Sequence, residues 1–263
     1  MPTPPPDDID RYLALAQACA DAAGRVVAQH FRKPVAVDTK ADSSPVTIAD
    51  RDAEIAMRSL IEKAYPDHGI LGEETGRTNP EAALTWVLDP IDGTKSFITG
   101  KPTFGTLIAL ACDGVPVIGI IDQPISNERW IGVTGRDSLF TGKPCRVRPC
   151  ANLADAVLYT TSPHLFSEPE GVAFHRLRKQ VRHTLYGGDC YSYGLMAAGF
   201  ADIVVEAGLK PYDYAALIPV IEGAGGLITD WDGKPLTLSS DGCVVAAGDA
   251  RVHEAALKTL RPN

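Results

Sequence analysis

Residues 86–94 read Trp-Val-Leu-Asp-Pro-Ile-Asp-Gly-Thr, an apolar run that passes directly into two aspartates three residues apart. The apolar part is short and β-prone, which predicts a buried strand that ends at Asp89. Pro90 has no N–H group and is predicted to stop the strand pairing and turn the chain. Such a turn can bring both carboxylates and the carbonyl between them onto one cation, since hard divalent ions prefer oxygen ligands. The alternative is that Asp-Pro and Asp-Gly are turn formers alone.

A short helix that begins at Thr94 would add an anion-binding end to this turn. Its hydroxyl and the free amides of Gly93 and Thr94 would then point toward the cation, where a phosphate group can bind. Further acidic groups lie elsewhere in the chain, at residues 73–74 and at Asp213. Taken singly, the first is typical of a solvated surface pair and the second of a helix N-cap.

Outside this motif, the periodicity predicts helices followed by an antiparallel sheet in the first half of the chain. The second half alternates strands and helices, which is typical of α/β layering. The predicted helices cover residues 7–31, 46–64, 169–181, 190–199, 213–223 and 249–260. The predicted strands cover residues 84–88, 104–111, 115–121, 128–133, 137–140, 157–161, 184–186, 203–206, 227–229 and 243–246.

The composition is that of an ordinary folded protein, and it narrows the range of partners. The 263 residues are 45% hydrophobic and carry a formal net charge of -8, which argues against a nucleic-acid partner. The six cysteines form no Cys-x-x-Cys pair, so we expect reduced, mostly buried thiols. No segment approaches the roughly 20 apolar residues of a membrane helix, and the first residues do not resemble a signal peptide. We therefore expect a cytoplasmic protein without a membrane partner.

The separate acidic groups become informative about function when they are considered together with the short motifs around them. Residues 72–74 read Gly-Glu-Glu, residues 212–213 read Tyr-Asp, and residues 223–226 read Gly-Ala-Gly-Gly. In this order and at these separations, together with the highly specific Asp-Pro-Ile-Asp-Gly-Thr string, they resemble the inositol monophosphatase family from about residue 7 to 260. Tyr212 stands where that family has Trp, and the change keeps an aromatic ring.

The resemblance implies the sugar-phosphatase fold, an αβαβα layered sandwich with an antiparallel sheet in the first half and a mixed sheet in the second. The composition of residues 1–6 separately predicts a disordered, Pro-rich tail. Residues 7–145 form an α+β half with most of the metal ligands. Residues 146–263 form an α/β half with Asp213 and the groups that select the substrate.

The resemblance also implies roles for individual residues, and two or three Mg²⁺ ions per site. The implied metal ligands are Glu73, Asp89, the carbonyl of Ile91, Asp92 and Asp213. Glu73 also counts as catalytic, together with Asp50 and Thr94, which as a pair orient the attacking water. The amides of Gly93 and Thr94 hold the phosphate. Two further candidates near the site are Lys40, for which a solvated loop lysine is the alternative, and Glu74.

Two segments point to a particular branch of the family. Residues 186–191 read Tyr-Gly-Gly-Asp-Cys-Tyr and residues 94–102 read Thr-Lys-Ser-Phe-Ile-Thr-Gly-Lys-Pro, and both resemble histidinol-phosphate phosphatases. The carboxylate of Asp189 can pair with the primary ammonium of histidinol phosphate. Glu206 aligns with a family glutamate that contacts the substrate. The alternative for Asp189 is an N-cap of the helix predicted from Cys190.

The implied reaction is Mg²⁺-dependent hydrolysis of L-histidinol phosphate to L-histidinol and phosphate, a step of histidine biosynthesis. Two divalent ions about 3.5–4 Å apart can bind the attacking and leaving oxygens of an in-line displacement. One alternative is an inositol monophosphatase or a broad phosphomonoesterase. A more distant one is a metal-binding module without turnover, for which a lost ligand is expected. Family analogy also implies a homodimer that takes a small phosphate ester as its partner.

Overall fold

The computed structural model describes residues 6–34, 36–39 and 45–261. The helices are α1 (Pro6–His30), α2 (Ile48–Ala64), α3 (Thr94–Ile98), α4 (Glu168–Arg178), α5 (Asp189–Ala197), α6 (Pro211–Tyr214), α7 (Leu217–Gly223) and α8 (Ala250–Leu260), with a 3₁₀ turn at Leu153–Asp155. The strands are β1 (Val37–Thr39), β2 (Pro45–Thr47), β3 (Gly69–Gly72), β4 (Gly76–Thr78), β5 (Leu84–Asp92), β6 (Gly105–Cys112), β7 (Val115–Gln123), β8 (Glu128–Val133), β9 (Leu139–Phe140), β10 (Lys143–Pro144), β11 (Val157–Thr160), β12 (His183–Tyr186), β13 (Ile203–Glu206), β14 (Leu227–Thr229) and β15 (Val244–Ala247).

Two large sheets organise the molecule. The first has eight strands in the order β10-β9-β8-β7-β6-β5-β3-β4 and is antiparallel except for the parallel pair β3–β5. The second has five strands in the order β12-β11-β13-β15-β14 and is mixed, with β11 parallel to both of its neighbours and β15 antiparallel to β13. The predicted antiparallel and mixed sheets are therefore confirmed.

Alternation along the strands assigns each sheet face to a helical layer. In β6, Ile108 and Leu110 belong to the core that contains α1 and α2, whereas Leu107 and Ala109 belong to the core that contains α5 and α7. The second sheet contributes to that middle core with one face, and its other face packs against α4 and α8. The layers therefore follow the predicted order αβαβα.

Several predicted boundaries differ from the structure. The second helix begins at Ile48, two residues after the predicted start, because Val46 belongs to β2 and Thr47 caps the helix. The helix predicted over 213–223 is two short helices, α6 and α7. The first helix begins at Pro6, a residue whose fixed φ suits a first helical turn. The remainder of the predicted tail, residues 1–5, lies outside the described residues.

All six cysteines are free thiols, and five of them are buried, as the sequence predicts. Within the described ranges, the helices are too short or too polar for a membrane span.

Candidate active site

The two aspartates of the central motif flank a bulge in β5. Pairing with β6 is regular up to Asp89, then shifts register and resumes at Asp92. Pro90 has no N–H to contribute, and its carbonyl accepts a hydrogen bond from Thr106 Oγ1 (2.8 Å). The Ile91 N–H donates to Asp89 Oδ1 (3.0 Å), which holds that carboxylate against the bulge. The predicted strand end at Asp89 is wrong, because a bulge absorbs the proline and the strand continues.

Three carboxylates meet at the end of β5. Oxygen atoms of Asp89, Asp92 and Asp213 all lie within 4.8 Å of one another. Burial, and after it the charge of Glu73, raises the pKa of Asp89 well above its ordinary value. Burial and the charge of Asp189 raise the pKa of Asp92 likewise, and burial raises the pKa of Asp213 to about 7. Like charges gathered in a low-dielectric site repel each other, so the cluster favours a cation.

Asp213 and Glu73 reach this cluster from different layers. Asp213 is the third residue of α6, and its Oδ2 accepts a hydrogen bond from Lys210 N (2.6 Å). Asp213 is therefore not the N-cap of its helix; that position belongs to Lys210. Glu73 follows β3, its N–H donates to the carbonyl of Leu88 (3.1 Å), and its side chain hydrogen-bonds Asp89.

Thr94, the first residue of α3, lies between a carboxylate and a carbonyl. Its Oγ1 is 3.3 Å from Asp50 Oδ1 and 3.2 Å from the carbonyl oxygen of Ile91. Asp50 is fully buried in α2, and its Oδ2 accepts hydrogen bonds from both the N–H (2.8 Å) and the hydroxyl (2.6 Å) of Thr47. The capping box of α2 thus fixes Asp50 and directs its other oxygen toward Thr94.

The turn at Gly93 contacts Asp189, the first residue of α5, which follows β12 of the second sheet. Gly93 has a φ of 88°, and a Cβ there would lie 2.6 Å from Asp189 Cγ, so a larger residue does not fit. Asp189 Oδ2 accepts a hydrogen bond from Ser96 Oγ (2.6 Å). Helix α5 begins at Asp189 itself, and its Cys190 N–H donates to Asp92 Oδ2 (2.6 Å). The alternative of Asp189 as N-cap is therefore wrong.

Glu206 is buried at the end of β13, with 2% of its surface exposed. Its Oε1 accepts a hydrogen bond from Thr161 N (2.6 Å), and its Oε2 accepts one from Thr160 Oγ1 (3.3 Å). Burial raises the pKa of Glu206 to about 8, and the charge of Asp189 adds to the effect. Glu206 and Asp189 are thus electrostatic neighbours, and a contact of Glu206 with substrate stays a prediction.

Lys40 lies outside the described residues. Glu74 adjoins Glu73 in the turn after β3, and its N–H donates to Glu54 Oε2 (2.8 Å). Sequence reasoning missed Glu54 and Ser96, although Glu54 follows Asp50 by four residues, a spacing that places both on one helix face.

The donor set of the cluster fits a hard divalent cation. Among the residues that the structure describes, the group able to hold a metal consists of carboxylates, without histidine or cysteine. Oxygen-only donors favour Mg²⁺ over zinc, which usually takes nitrogen or sulfur ligands.

Comparison with known proteins identifies the family. The family model described as the inositol monophosphatase family matches residues 8–263. The chain belongs to the inositol monophosphatase family. Over 262 residues it is 54% identical to the protein named bifunctional phosphatase IMPL2, chloroplastic, of Arabidopsis thaliana, with 96% of this chain and 76% of the relative covered.

Two further comparisons bear on activity and fold. A histidinol-phosphatase of Chlorobaculum parvum is 36% identical over 236 residues, which cover 89% of this chain and 91% of that protein. A solved structure of an inositol monophosphatase from Zymomonas mobilis superposes with a TM-score of 0.88 at 50% identity, covering 95% of this chain and 98% of the other. This member of the inositol monophosphatase family is accordingly a phosphatase, a phosphoric monoester hydrolase.

Proposed function

We propose that this phosphatase hydrolyses L-histidinol phosphate to L-histidinol and phosphate in a Mg²⁺-dependent reaction. The observation that carries the substrate is the carboxylate of Asp189, which is enclosed beside the Gly93 turn and does not cap a helix. In histidinol phosphate, the carbon that bears the ammonium is bonded to the carbon that bears the ester oxygen. The ammonium group of the substrate therefore lies close to its phosphate, and Asp189 lies close to the Gly93 turn that is proposed to bind that phosphate.

The hydrogen bonds of Asp189 leave it able to serve an ammonium group. Ser96 occupies Oδ2, and the side chains of Lys95 and Lys101 lie near enough to lower the pKa of the carboxyl. Burial has the larger and opposite effect, and the pKa is raised overall. A buried carboxylate gains most from a charged partner that supplies a hydrogen bond, and Oδ1 is the oxygen proposed to accept it.

Catalysis is proposed to use Asp50 and Thr94 on the attacking water. Thr94 Oγ1 passes its proton to Asp50 Oδ1, and a lone pair of Thr94 Oγ1 takes the proton of the attacking water. The water oxygen then bonds to phosphorus as the bond between phosphorus and the ester oxygen breaks, and the leaving oxygen takes up a proton from a second water molecule to give the alcohol. The amides of Gly93 and Thr94 hold the phosphate oxygens during this displacement.

The metal ligands proposed from the family pattern are Glu73, Asp89, the carbonyl of Ile91, Asp92 and Asp213. Their support is the carboxylate cluster, in which burial first and neighbouring negative charges second raise the pKa values of Asp89 and Asp92. Bound Mg²⁺, proposed at two or three ions, would supply Lewis-acid stabilisation of charge on the phosphate and the leaving oxygen.

A second candidate function is hydrolysis of inositol phosphate or a broader set of monoesters. It is favoured by the similarity to the Zymomonas mobilis inositol monophosphatase at 50% identity. The homodimer and the cytoplasmic location stay predictions, and the name of the Arabidopsis thaliana relative assigns that protein to the chloroplast.

The deciding experiment measures phosphate release with Mg²⁺ from histidinol phosphate and from inositol 1-phosphate. The proteins compared are the wild type, Asp189→Ala and the exposed control Asp67→Ala. We expect the wild type to prefer histidinol phosphate and Asp189→Ala to lower kcat/KM for that ester by roughly 10–100-fold, the range of a hydrogen bond to a charged group. Hydrolysis of inositol 1-phosphate should change little. Equal losses on both esters, or a preference for inositol phosphate, would refute the substrate assignment.

A further inference from the structure

One face of α2 carries three buried ionisable residues at four-residue intervals. Asp50, Glu54 and Arg58 have 0%, 0% and 8% of their surfaces exposed. A spacing of four places side chains above one another on one face of a helix. Asp50 has a proposed role in catalysis, whereas the pair Glu54–Arg58 has none.

Both oxygens of the Glu54 carboxylate accept hydrogen bonds, from Arg58 and from the turn between β3 and β4. Its Oε2 accepts a hydrogen bond from Glu74 N (2.8 Å). Its Oε1 accepts bonds from Thr75 N (3.1 Å), Thr75 Oγ1 (2.5 Å) and Arg58 Nε (2.9 Å). A carboxylate in which both oxygens accept backbone and hydroxyl bonds holds the donors in one arrangement.

Arg58 binds both ends of β4, the strand that follows this turn. Its Nη1 donates to Thr78 Oγ1 (3.0 Å) and its Nη2 to the carbonyl of Gly76. At the start of the turn, a Cβ on Gly72 would lie 2.1 Å from Glu54 Oε1, so the glycine lets the carboxylate reach the backbone. The Glu54–Arg58 pair therefore fixes the turn from Gly72 to Thr78.

Glu73 lies inside this fixed turn. Its N–H donates to the carbonyl of Leu88 in β5, and the next two N–H groups along the chain, those of Glu74 and Thr75, donate to Glu54. The backbone on both sides of Glu73 is thus held, which sets where its carboxylate meets Asp89. Groups that orient metal ligands in this way commonly change metal affinity when they are altered.

We propose that Glu54 is a positioning residue that sets the affinity of the site for its divalent cation by orienting Glu73. The inference rests on the proposed function, in which Glu73 is a metal ligand. Glu54 reaches the cation only through the turn, so it affects occupancy of the site more than turnover once the site is filled. A purely structural role would instead lower thermal stability and leave metal affinity unchanged.

The test compares Glu54→Gln with Glu62→Gln, an exposed position on the same helix. A glutamine keeps the shape but turns one acceptor into an N–H donor, which then opposes an N–H of the turn. Binding of Mn²⁺ to substrate-free protein is measured by isothermal titration calorimetry, and Mg²⁺ half-saturation of turnover is measured separately. We expect both constants to weaken by roughly 10–100-fold in Glu54→Gln, with kcat at saturating Mg²⁺ within about threefold of wild type. Glu62→Gln should match the wild type.

A milder variant keeps the inference testable if Glu54→Gln does not fold. Thr75→Val removes one hydroxyl donor to Glu54 at an exposed position, and we expect a weakening of Mn²⁺ binding of about two- to fivefold. Unchanged Mn²⁺ affinity in the folded variants, with only a lower melting temperature, would overturn the inference. Failure of the proposed function would look different: the wild type itself would bind no Mn²⁺, or Asp92→Asn would keep full activity.

Discussion

The two sides of the site are built differently. The cation side, formed by the bulge of β5, the turn after β3 and the inner face of α2, consists of carboxylates whose oxygens accept bonds from backbone or capping groups, as at Asp50, Glu54 and Asp89. The proposed selectivity side, residues 186–189, begins at the last residue of the edge strand β12, where Leu185 and Tyr186 are exposed. The carboxylates of the cation side are held by backbone and capping groups, whereas the carboxylate of Asp189 on the selectivity side accepts its hydrogen bond from a side-chain hydroxyl, that of Ser96.

Asp189 shows the difference most clearly. Its φ is 46°, a left-handed value that costs a residue other than glycine about 1–3 kcal/mol. Ser96 of α3 donates to the carboxylate, and Lys101 and Thr103, which follow α3, donate to the carbonyl of Gly187. The Gly187 N–H in turn donates to the carbonyls of Thr160 and Thr161. If Asp189 selects the substrate as proposed, a change at this position should alter substrate choice without disturbing the carboxylate cluster.

The largest effect is expected from a variant that disrupts the cation side. Asp92→Asn removes one charge from the carboxylate cluster and should lower kcat by roughly 10³-fold or more, since metal stabilisation of the displacement is worth several kcal/mol. Because burial and neighbouring charges disfavour the ionised form, the variant should melt no lower than the wild type without metal. Phosphate-release assays and thermal melting in a chelator check the two parts. A variant that retains near-normal turnover would remove Asp92 from the metal site.

A smaller effect is expected from the selectivity side. Ser96→Ala removes the hydroxyl that holds Asp189 Oδ2, and we expect a loss of roughly 5–10-fold in kcat/KM for histidinol phosphate, about the value of one hydrogen bond. Turnover of inositol 1-phosphate and the Mg²⁺ half-saturation should stay near wild type. Thr99→Ala is the control, since its exposed hydroxyl donates to carbonyls of its own helix. Equal losses for both esters would mean that the two sides are not separable.

The smallest effect concerns stability and pH at Glu206. Its pKa of about 8 lies above the ordinary value of 4.5, so the folded state favours the protonated form. The stability that this preference contributes is full below about pH 4.5 and is lost as the pH rises through 8. Glu206→Gln keeps a neutral side chain at every pH. Its melting temperature in metal-free buffer should therefore exceed that of the wild type by a margin that grows between pH 5 and 8, then levels off.

Glu81→Gln, at an exposed position, is the matched control for this measurement. A margin for Glu206→Gln that stays constant across the pH range would show that Glu206 ionises as readily in the folded as in the unfolded protein.

Many of the strands and helices were predictable because their causes are local, whereas the αβαβα layer order was predicted from the family resemblance. Strands such as β8 and β13 carry alternating or continuous apolar runs bounded by turn residues, and their predicted limits match the structure. The errors fall where a tertiary contact replaces a local rule. Pro90 does not end β5, because Thr106 satisfies its carbonyl and pairing resumes at Asp92.

The candidate site was predictable to the extent that its residues lie in one specific motif. Residues 89–94 contain the bulge, which was not predicted, and Thr94, whose contact with Asp50 is the pairing that the family resemblance implies. Glu54 escaped prediction because a lone glutamate in a helix is typical of a solvated face, and only the fold brings the turn after β3 onto it. Asp189 was ambiguous for a similar reason: a sequence cannot show that the N–H of Cys190, the second residue of α5, donates to Asp92, which lies 98 residues earlier in the chain.

Asp50 and Glu54 lie four residues apart in α2, so the helix fixes the distance between them. Four residues of helix span about 6 Å along the axis and return to the same face, so the proposed proton acceptor and the support of Glu73 keep a constant separation when the helix shifts as a body. A deletion of one residue between them would rotate Glu54 by about 100° away from that face. A change of register in this helix between residues 50 and 58 would therefore separate Glu54 and Arg58 from the turn after β3.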